Sequence, residues 1–570
     1  MSRLKELRKY VNAELAQIPD EDDRISAVNH LYGVSLAATI LAKKRGLDPE
    51  LAAMAAMLHD MHAYKTGSYD DHAHKGADLA REILTELSLT NEEETDMICS
   101  AIYHHDDKRN EDSPFDELLK DADVIHHTMN DTAKAIKEKE QPRYDRICEE
   151  FGLVNAVWSL AEEAYIFSYP LVLMEMTART LPSNILVHAR KLASSDDKSV
   201  VTMNVDTLYT QIIVDVKDEP IILTLPETDR FMEMQIMDAW SNTTAVLDRS
   251  GVYAFVRKGD TTELPANVTK VELPTRISWV LGRVILNGND DLPNVVEIQD
   301  GMDLCPLSVY NSGEAHNNAM LAGEAINKDI IPVQAVAVMG AEKFFSLANE
   351  LMADNPPADA DKPVTDRIAA MGVGAGLHFD PAVLKDESGD GWKAMLKKFY
   401  NDIAKDALSF AKKLGIWNYF GDPIGDFGTE YKYRAAVAVS GFGANTTEVA
   451  IYPKCAADVS GDPFDGKQDY ILHFDSLPPV MEKGFWSVTA YGNDDFLIAN
   501  PLDRYCVNDR SDFKLNDDGS VDILLTSNTD TESDMYVLPT DPEGFHLYMR
   551  IYLPDTAALE NWTAPVVTRR

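Results

Sequence analysis

The hydrophobic pattern of this chain changes its period once, near residue 200. Before that point, apolar residues recur at helical spacing in five segments of residues 1–140. After it, short alternating runs such as residues 211–216 and 220–225 are separated by Pro, Gly, Asn and Asp, a pattern typical of β-strands joined by turns. The sequence therefore predicts a multidomain α + β protein, in which an all-helical domain precedes a mainly β tandem module with helical inserts.

Four regions are expected along the chain, because 570 residues exceed what one hydrophobic core usually serves. The helical domain is predicted over residues 1–140, since the segment 128–145 is polar and low in bulky side chains. A helix is predicted to follow over residues 154–167. The remaining regions are a first β-rich domain (141–310), a helical insert or connector (311–425), and a second β-rich domain of sandwich or jelly-roll type (426–570).

Acidic residues far outnumber basic ones. The chain has 94 Asp and Glu residues against 53 Lys and Arg, which gives a net charge of −41. Such a surface repels phosphate backbones and anionic lipid surfaces, so neither nucleic acid nor a membrane is expected as a partner. A small anionic substrate would need metal ions to reverse the local field.

The cysteines and the apolar runs help to predict the cellular compartment of the protein. The five cysteines are scattered and form no CxxC motif, which favours a reducing compartment over a disulfide framework. No stretch approaches eighteen uninterrupted apolar residues, and the first residues contain no apolar signal segment. The sequence predicts a cytoplasmic protein and leaves its oligomeric state open.

Histidines are concentrated at the start of the chain. Nine of the 14 lie in the first 127 residues, and the doublet His59-Asp60 ends an apolar run that Asp48 and Pro49 open as a helix cap. Imidazole and carboxylate together suit one or two divalent ions of Mn, Fe, Co, Ni or Mg. A carboxylate shared by two ions brings them to roughly 4 Å. The candidate ligands are His30, His59, Asp60, His74, His104, His105 and Asp123.

The order of His30, the His59-Asp60 doublet and Asp123 resembles the HD-domain superfamily of metal-dependent phosphohydrolases. The phrases that carry the resemblance are Met-Leu-His-Asp around the doublet and Lys-Asp-Ala-Asp before residue 124, and it covers about residues 20–130. It implies an all-helical fold in which these four side chains hold one metal ion.

The resemblance also implies a second ion and a reaction. His74 and the pair His104-His105 match the second-metal histidines, and Asp60 would bridge the two ions. The implied reaction is hydrolysis of a small phosphomonoester or nucleotide, in which metal-activated water attacks phosphorus. Lys65, five residues after Asp60, resembles a lysine of nucleotide-cleaving members, and either Lys65 or a free imidazole would stabilise or protonate the leaving oxygen.

Two other functions stay open for the same ligands. Some di-iron members of the superfamily resemble oxygenases, and a metal-stabilised ligand sensor that controls the C-terminal part is a non-catalytic alternative. The histidines outside the ligand set, His72, His126 and His127, are expected to be solvated.

The C-terminal two thirds resemble the tandem domains of unknown function 1254 and 1214, over about residues 150–570. The resemblance is carried by phrases such as Asn204-Val-Asp206-Thr-Leu-Tyr and Phe485-Trp-Ser-Val-Thr. It implies β-sandwich or jelly-roll domains and names no activity. The Asn204–Asp206 segment is predicted to form a turn. The alternative is a pocket, for which the candidates are Asn204, Asp206, Asp238, Trp240, Arg434 and Arg504.

Overall fold

The computed structural model of the chain describes residues 2–130, 136–137, 139–151, 156–197, 202–530 and 532–570. The chain divides into two compact units, Met1–Ala156 and Val157–Arg570. The first unit is helical and the second is mainly β, which confirms the predicted fold class. The first two residues of the helix predicted from Val154 lie outside the described residues.

The described part of the first unit contains eight helices. Their bounds are α1 Arg3–Leu15, α2 Glu21–Arg45, α3 Pro49–Leu58, α4 Met61–Thr66, α5 His72–Glu86, α6 Glu92–His104, α7 Pro114–Met129 and α8 Gln141–Phe151. At the start of α3, the carboxylate of Asp48 accepts the backbone N–H groups of Glu50 and Leu51. Gly46 ends α2 with φ 71°, a left-handed conformation that glycine adopts without a Cβ clash. These caps fix where the site-bearing helices begin and end.

Helix α2 runs through the core of the first unit. Its side chains Leu31, Val34 and Leu41 are fully buried in one apolar cluster with residues of α3, α6 and α7. By length and composition alone, α2 is the one helix of the described residues that could cross a membrane. Half of its most apolar window is buried inside the structure, so much of this hydrophobicity serves the core.

Helix α7 begins with a capping box. The Oγ of Ser113 accepts the N–H of Asp116, and the carboxylate of Asp116 accepts the N–H of Ser113, both at 3.3 Å. We expect Ser113→Ala to lower the free energy of opening of α7 by about 1 kcal/mol, because one N-terminal N–H loses its acceptor. Native-state hydrogen exchange of the α7 amides measures this. Ser26→Ala on the exposed face of α2 is the control, and equal protection in the two variants would contradict the prediction.

The second unit carries ten helices and twenty-one strands among its described residues. The helices are α9 Ala156–Ala178, α10 Leu292–Asp300, α11 Leu307–Ser312, α12 Ala322–Ala325, α13 Pro332–Ala337, α14 Ala341–Asp354, α15 Lys362–Ile368, α16 Asp390–Leu408, α17 Tyr431–Gly441 and α18 Thr556–Leu559. The first ten strands are β1 Leu186–His188, β2 Thr207–Asp215, β3 Ile221–Leu225, β4 Met232–Asp238, β5 Thr243–Leu247, β6 Gly251–Arg257, β7 Val268–Leu273, β8 Ile277–Ile285, β9 Asp303–Pro306 and β10 Ala319–Leu321. The others are β11 Ala411–Leu414, β12 Trp417–Phe420, β13 Ala450–Ile451, β14 Lys454–Cys455, β15 Tyr470–Phe474, β16 Val480–Gly492, β17 Cys506–Asn508, β18 Val521–Thr526, β19 Tyr536–Pro539, β20 Phe545–Pro554 and β21 Val566–Arg569.

The strands form four sheets, two in each β region. The first region has the orders β10-β1-β2-β8-β4-β5 and β7-β6-β3-β9, and the second has β11-β12-β14-β20-β16-β17, with β13 on β20, and β19-β18-β15-β21. The two sheets of the first region share one core cluster, in which Met234 of β4 and Phe255 of β6 are buried. Trp486 of β16 and Ile523 of β18 belong to the shared cluster of the second region. Helices α12–α16 lie in sequence between these regions. The jelly-roll arrangement stays a prediction.

Candidate metal centre

The junction between α3 and α4 is the base of the centre. Helix α3 ends at Leu58, and Asp60 leaves the helical conformation with φ −107° and ψ 8° before α4 begins at Met61. His59 and Asp60 remain only 0 % and 7 % exposed. Gly76 of α5 approaches so closely that a Cβ there would lie 3.1 Å from the carbonyl oxygen of His59. The doublet is therefore buried, and α5 packs directly against its backbone.

The first cluster consists of His30, His59, Asp60 and Asp123, which come from α2, the α3–α4 junction and α7. The Nε2 atom of His30 lies 3.1 Å from the Nε2 atom of His59. The same atom lies 3.3 Å from Oδ2 of Asp60 and 3.4 Å from Oδ1 of Asp123. The structure thus brings together the four residues that the resemblance assigns to one metal ion.

The second cluster consists of Asp60, His72 and His105. The Oδ1 atom of Asp60 lies 3.5 Å from Nε2 of His72 and 3.4 Å from Nε2 of His105. The other carboxylate oxygen of Asp60 faces the first cluster. One carboxylate therefore belongs to both clusters, which is the arrangement of a ligand that bridges two ions.

Backbone carbonyls fix the orientation of three imidazoles. The Nδ1 atoms of His59 and His105 lie 2.7 Å from the carbonyl oxygens of Ala56 and Ile102. The Nδ1 atom of His72 lies 2.9 Å from the carbonyl oxygen of residue 69. Because a carbonyl only accepts, each Nδ1 carries the proton and each Nε2 keeps its lone pair for the cluster.

Two buried carboxylate oxygens provide the test for a metal. Within the described residues, Oδ1 of Asp60 and Oδ1 of Asp123 are buried and accept no hydrogen bond. A buried carboxylate oxygen without a donor is costly unless a cation compensates it. Each of the two atoms lies among imidazole nitrogens within 4.8 Å. The donor set therefore fits divalent metal ions, and the identity of the ion is not determined by it.

The protonation states also suit metal binding. Burial lowers the pKa of His59 to about 4, so its imidazole is neutral near pH 7. Burial alone would raise the pKa of Asp60, but His59 and the adjacent imidazoles of His105 and His30 hold this pKa well below its ordinary value. Burial lowers the pKa of His30, and Asp60 and Asp123 more than offset it, so the net shift is upward. Metal binding at His30 would therefore compete with protonation of its imidazole.

A buried lysine, Lys108, lies behind the first cluster. Its ammonium is 2.7 Å from Oδ2 of Asp123 and donates to the carbonyl oxygen of His105 at 2.6 Å. Burial opposes ionisation of Asp123, but Lys108 and the neighbouring imidazoles keep the pKa of Asp123 below its ordinary value. Lys108 therefore holds one ligand of each cluster in place.

His127 and His126 extend the first cluster along α7. The Nε2 atom of His127 lies 3.4 Å from Oδ1 of Asp123, and its Nδ1 lies 3.2 Å from a carboxylate oxygen of Glu140. A carboxylate that orients an imidazole toward a metal is a common arrangement. His126 packs over Gly33, where a Cβ would lie 2.1 Å from its ring, and its Nδ1 is 3.0 Å from Nδ1 of His30.

Three predicted residues lie outside both clusters. The Nδ1 atom of His74 lies 2.7 Å from a carboxylate oxygen of Asp71, and its exposed ring stacks on Tyr103. His104 faces the carboxylate of Asp116 at 3.3 Å. The ammonium of Lys65 pairs with Glu14 at 3.0 Å. The structure therefore does not bring His74, His104 or Lys65 together with the bridging carboxylate.

Asn204 and Asp206 lie in a buried polar network of the second unit. The Oδ1 atom of Asn204 accepts the backbone N–H of Asp206 at 2.6 Å, which is the geometry of the turn alternative. Ser487 and Arg510 donate to the carboxylate of Asp206 at 2.5 and 2.6 Å. These hydrogen bonds use the carboxylate within the protein.

The other candidates for a C-terminal pocket have different neighbours. The carboxylate of Asp238 accepts the backbone N–H of Trp240 at 2.9 Å, and burial raises the pKa of Asp238. The guanidinium of Arg434 lies 5.4 Å from the centre of the Trp240 ring. Arg504 instead lies 4.2 Å from the centre of the Tyr536 ring. The six candidates thus fall into three groups, which are Asn204 with Asp206, Asp238 with Trp240 and Arg434, and Arg504 alone.

Sequence reasoning missed three residues of the centre, which are His72, His127 and Lys108. His72 lies one helical turn before Gly76, where α5 approaches His59, but His74 also precedes this glycine, so the spacing does not single out His72. His127 follows Asp123 by four residues on α7, so the two share a helix face. Lys108 carries no such signal, because a lone lysine is usually exposed.

Replacement of His72 tests whether the second ion is bound by His72, as the structure indicates, or by His74, as the sequence predicted. We expect His72→Ala to lower the Mn²⁺ bound per chain by about one ion, since two histidines and a carboxylate become one histidine and a carboxylate. His74→Ala, two residues away on α5, is the matched control and should keep full occupancy. Metal analysis after Mn²⁺ loading and desalting measures both. Loss of an ion in His74→Ala alone would contradict the assignment.

Comparisons with protein families match three parts of the chain. Residues 27–128 match the family described as the HD domain, a family of metal-dependent proteins. Residues 183–306 match a protein of unknown function family, DUF1254, and residues 449–556 match another, DUF1214. No curated protein matches the chain significantly.

Solved structures match as well. The crystal structure of the VPA0106 protein from Vibrio parahaemolyticus has 23 % identity and a TM-score of 0.55, covering 73 % of this chain and 100 % of that chain, so it shares the fold. An uncharacterized protein from Burkholderia cenocepacia has 11 % identity and a TM-score of 0.35, over 80 % of this chain and 96 % of that chain. A predicted HD superfamily hydrolase from an uncultured Thermotogales bacterium has 22 % identity and a TM-score of 0.18, over 26 % of this chain and 92 % of that chain.

The family matches confirm both resemblances, and the chain therefore combines an HD domain, a DUF1254 domain and a DUF1214 domain in that order.

Proposed function

We propose that the HD domain is a metal-dependent phosphohydrolase that acts on a small phosphomonoester or a nucleotide. The observation that carries the proposal is the shared carboxylate of Asp60, whose two oxygens face two separate His/Asp clusters. Two adjacent divalent ions suit phosphate esters, because they neutralise the charge that an acidic protein would otherwise repel.

The first ion would be held by His30, His59, Asp60 and Asp123, and the second by Asp60 with His72 and His105. When bound, such ions supply Lewis-acid activation of water and of phosphate oxygens. Mn²⁺, Fe²⁺, Co²⁺, Ni²⁺ and Mg²⁺ are all compatible with imidazole and carboxylate ligands.

Residues next to the proposed metal ligands hold those ligands in position. Lys108 holds the carboxylate of Asp123 at 2.7 Å, so the ligand keeps its position as charge changes nearby. His127, held by Glu140, is available at the edge of the first cluster to hold or pass a proton. Lys65 is paired with Glu14, so the proposal gives it no part in leaving-group protonation.

Aromatic side chains beside the second cluster support a nucleotide over a simple ester. Tyr69 is 59 % exposed, and its ring centre lies 5.5 Å from that of His72. An exposed aromatic face next to a metal ligand offers a stacking surface for a base. Tyr69→Ala should therefore weaken nucleotide hydrolysis more than hydrolysis of a sugar phosphate.

Phosphate release tests the proposal. Full-length protein loaded with Mn²⁺ is assayed against nucleotides and sugar phosphates, with His72→Ala and its control His74→Ala in parallel. Release that falls in His72→Ala but not in His74→Ala supports the proposal. Protein that holds no metal and releases no phosphate from any of these compounds would falsify it. Two irons per chain with oxygen uptake would favour the oxygenase alternative, and metal binding with neither activity would favour a sensor.

We also propose a cytoplasmic location without a nucleic-acid or membrane partner, which the net charge of −41 supports. Cell fractionation and a nucleic-acid binding assay at low salt test this. Binding to nucleic acid at low salt would contradict it.

A further inference from the structure

The edge strand β9 of the second unit presents two metal-ligand side chains on one face. Asp303 and Cys305 are two residues apart, and side chains at that spacing point to the same side of a strand. Strand β9 pairs on one side with β3, where Cys305 lies opposite Ile222. Among the described residues, no strand pairs with the other edge of β9. A loop can therefore bring a third ligand to this edge.

That third ligand is His316. Its Nδ1 donates to the carbonyl oxygen of Glu314 at 3.0 Å, so a cation at this site would bind Nε2 once that nitrogen has lost its proton. The Nε2 atom lies 2.9 Å from Oδ1 of Asp303. The amide of Asn318 fixes the loop to the free edge by donating to the carbonyl oxygen of Leu304 at 2.9 Å.

The three side chains converge on one point. Ligand atoms of Asp303, Cys305 and His316 all lie within 4.8 Å of one another. Cys305 is 1 % exposed, whereas the His316 side chain is 24 % exposed. The thiol is thus enclosed by the protein, and the imidazole and carboxylate face outward over it.

A polar cavity adjoins these ligands. It has a volume of about 350 Å³, and Asp303 and His316 are among its lining residues together with His188 and Gln299. Gln299 is fully buried, and its amide nitrogen donates to the carbonyl oxygen of Ala189. Among the described residues, its Oε1 atom has no hydrogen-bond partner. A buried acceptor without a donor at a cavity is suited to accept a hydrogen bond from a molecule that enters the cavity.

We propose that Asp303, Cys305 and His316 bind a divalent ion of the Zn²⁺ class, and that its open coordination position adjoins the Gln299 cavity. Thiolate together with imidazole selects borderline ions such as Zn²⁺ and Co²⁺. Three protein ligands with a fourth position left open are typical of zinc sites that take an exchangeable ligand. The site is independent of the proposed phosphohydrolase function, because its residues belong to the other compact unit.

Cobalt substitution tests the proposal directly. Thiolate ligation gives Co²⁺ a charge-transfer absorption in the near ultraviolet, which imidazole and carboxylate ligands do not produce. Neither cluster of the HD domain contains a cysteine. Full-length protein titrated with Co²⁺ should therefore develop this band, and Cys305→Ser should remove it completely. Asp60→Ala, which alters the HD domain alone, should keep it.

Control variants separate ligation from folding. Cys455→Ser is the matched control, since Cys455 is equally buried but hydrogen-bonds to the carbonyl oxygen of Ala457. This variant should keep the band. His316→Ala and Asp303→Asn lie nearer the surface and should each weaken Co²⁺ binding at least tenfold. Absence of the band from the unmodified protein, its survival in Cys305→Ser, or full affinity in both surface variants would overturn the proposal.

Discussion

Replacement of Asp60 by alanine is expected to remove both metal ions from the HD domain and to reduce phosphate release to the uncatalysed level. Each carboxylate oxygen of Asp60 faces a different cluster, at 3.3 Å from His30 and 3.4 Å from His105. Loss of a bridging ligand therefore affects two sites, whereas loss of His72 affects one. Mn²⁺ content per chain and phosphate release measure the effect.

Mn²⁺ is the appropriate ion for this test, because it binds thiolate sites weakly and so reports the HD domain rather than Cys305. Asp78→Ala is the matched control, since Asp78 is exposed on α5 and belongs to neither cluster. It should keep full occupancy and activity. Mn²⁺ retained at two ions per chain in Asp60→Ala would show that the ligand assignment is wrong.

The first cluster could be predicted because the His59-Asp60 doublet marks a helix end and its order with His30 and Asp123 resembles the HD domain. The cap at Asp48 and Pro49 places α3, and a buried apolar run leaves His59-Asp60 at the point where the helix breaks. A buried doublet at such a break must find polar partners, and His30 of α2 and Asp123 of α7 are among the buried polar residues of those helices. The helix signals located the doublet, and the resemblance to the HD domain supplied His30 and Asp123 as its partners.

The second cluster could not be predicted with the same accuracy. His72 and His74 both precede the Gly-Ala pair of α5, and two residues turn a helix by about 200°, so they lie on opposite faces. Which one faces Asp60 depends on where α5 begins. That point is set by Asp71, whose φ of 55° is a left-handed conformation that the sequence does not signal.

The hydrogen-bond partners of the buried polar groups in the second unit could not be predicted from neighbouring residues, for a different reason. Asp206 accepts hydrogen bonds from Ser487 and Arg510, which lie 281 and 304 residues away in sequence. Each residue alone has the pattern of an ordinary turn or strand. These residues come together only because distant strands pair. The alternation of apolar and polar residues shows which face of a strand is buried, but it does not show which other strand lies beside it.

Replacement of Lys108 by methionine is expected to destabilise the metal-free HD domain by about 3 kcal/mol or more. The ammonium of Lys108 and the carboxylate of Asp123 lie 2.7 Å apart, and their side chains are 1 % and 6 % exposed. Removal of one partner of a buried ion pair leaves the other charge without compensation, which typically costs about 3–5 kcal/mol. Hydrogen exchange of the α7 amides in chelator measures the change for this domain specifically.

The same variant should recover much of its stability when Mn²⁺ is added, because a bound cation would compensate the charge of Asp123 in place of the ammonium. Lys75→Met is the control, since Lys75 is exposed on α5 and its ammonium lies 3.9 Å from Asp70. That substitution should change stability by less than about 0.5 kcal/mol, with or without Mn²⁺. If Lys108→Met lost no more stability than Lys75→Met, Asp123 would not depend on the lysine. If the loss were equal with and without Mn²⁺, the ion would not bind at Asp123, and the metal assignment of the first cluster would fail with it.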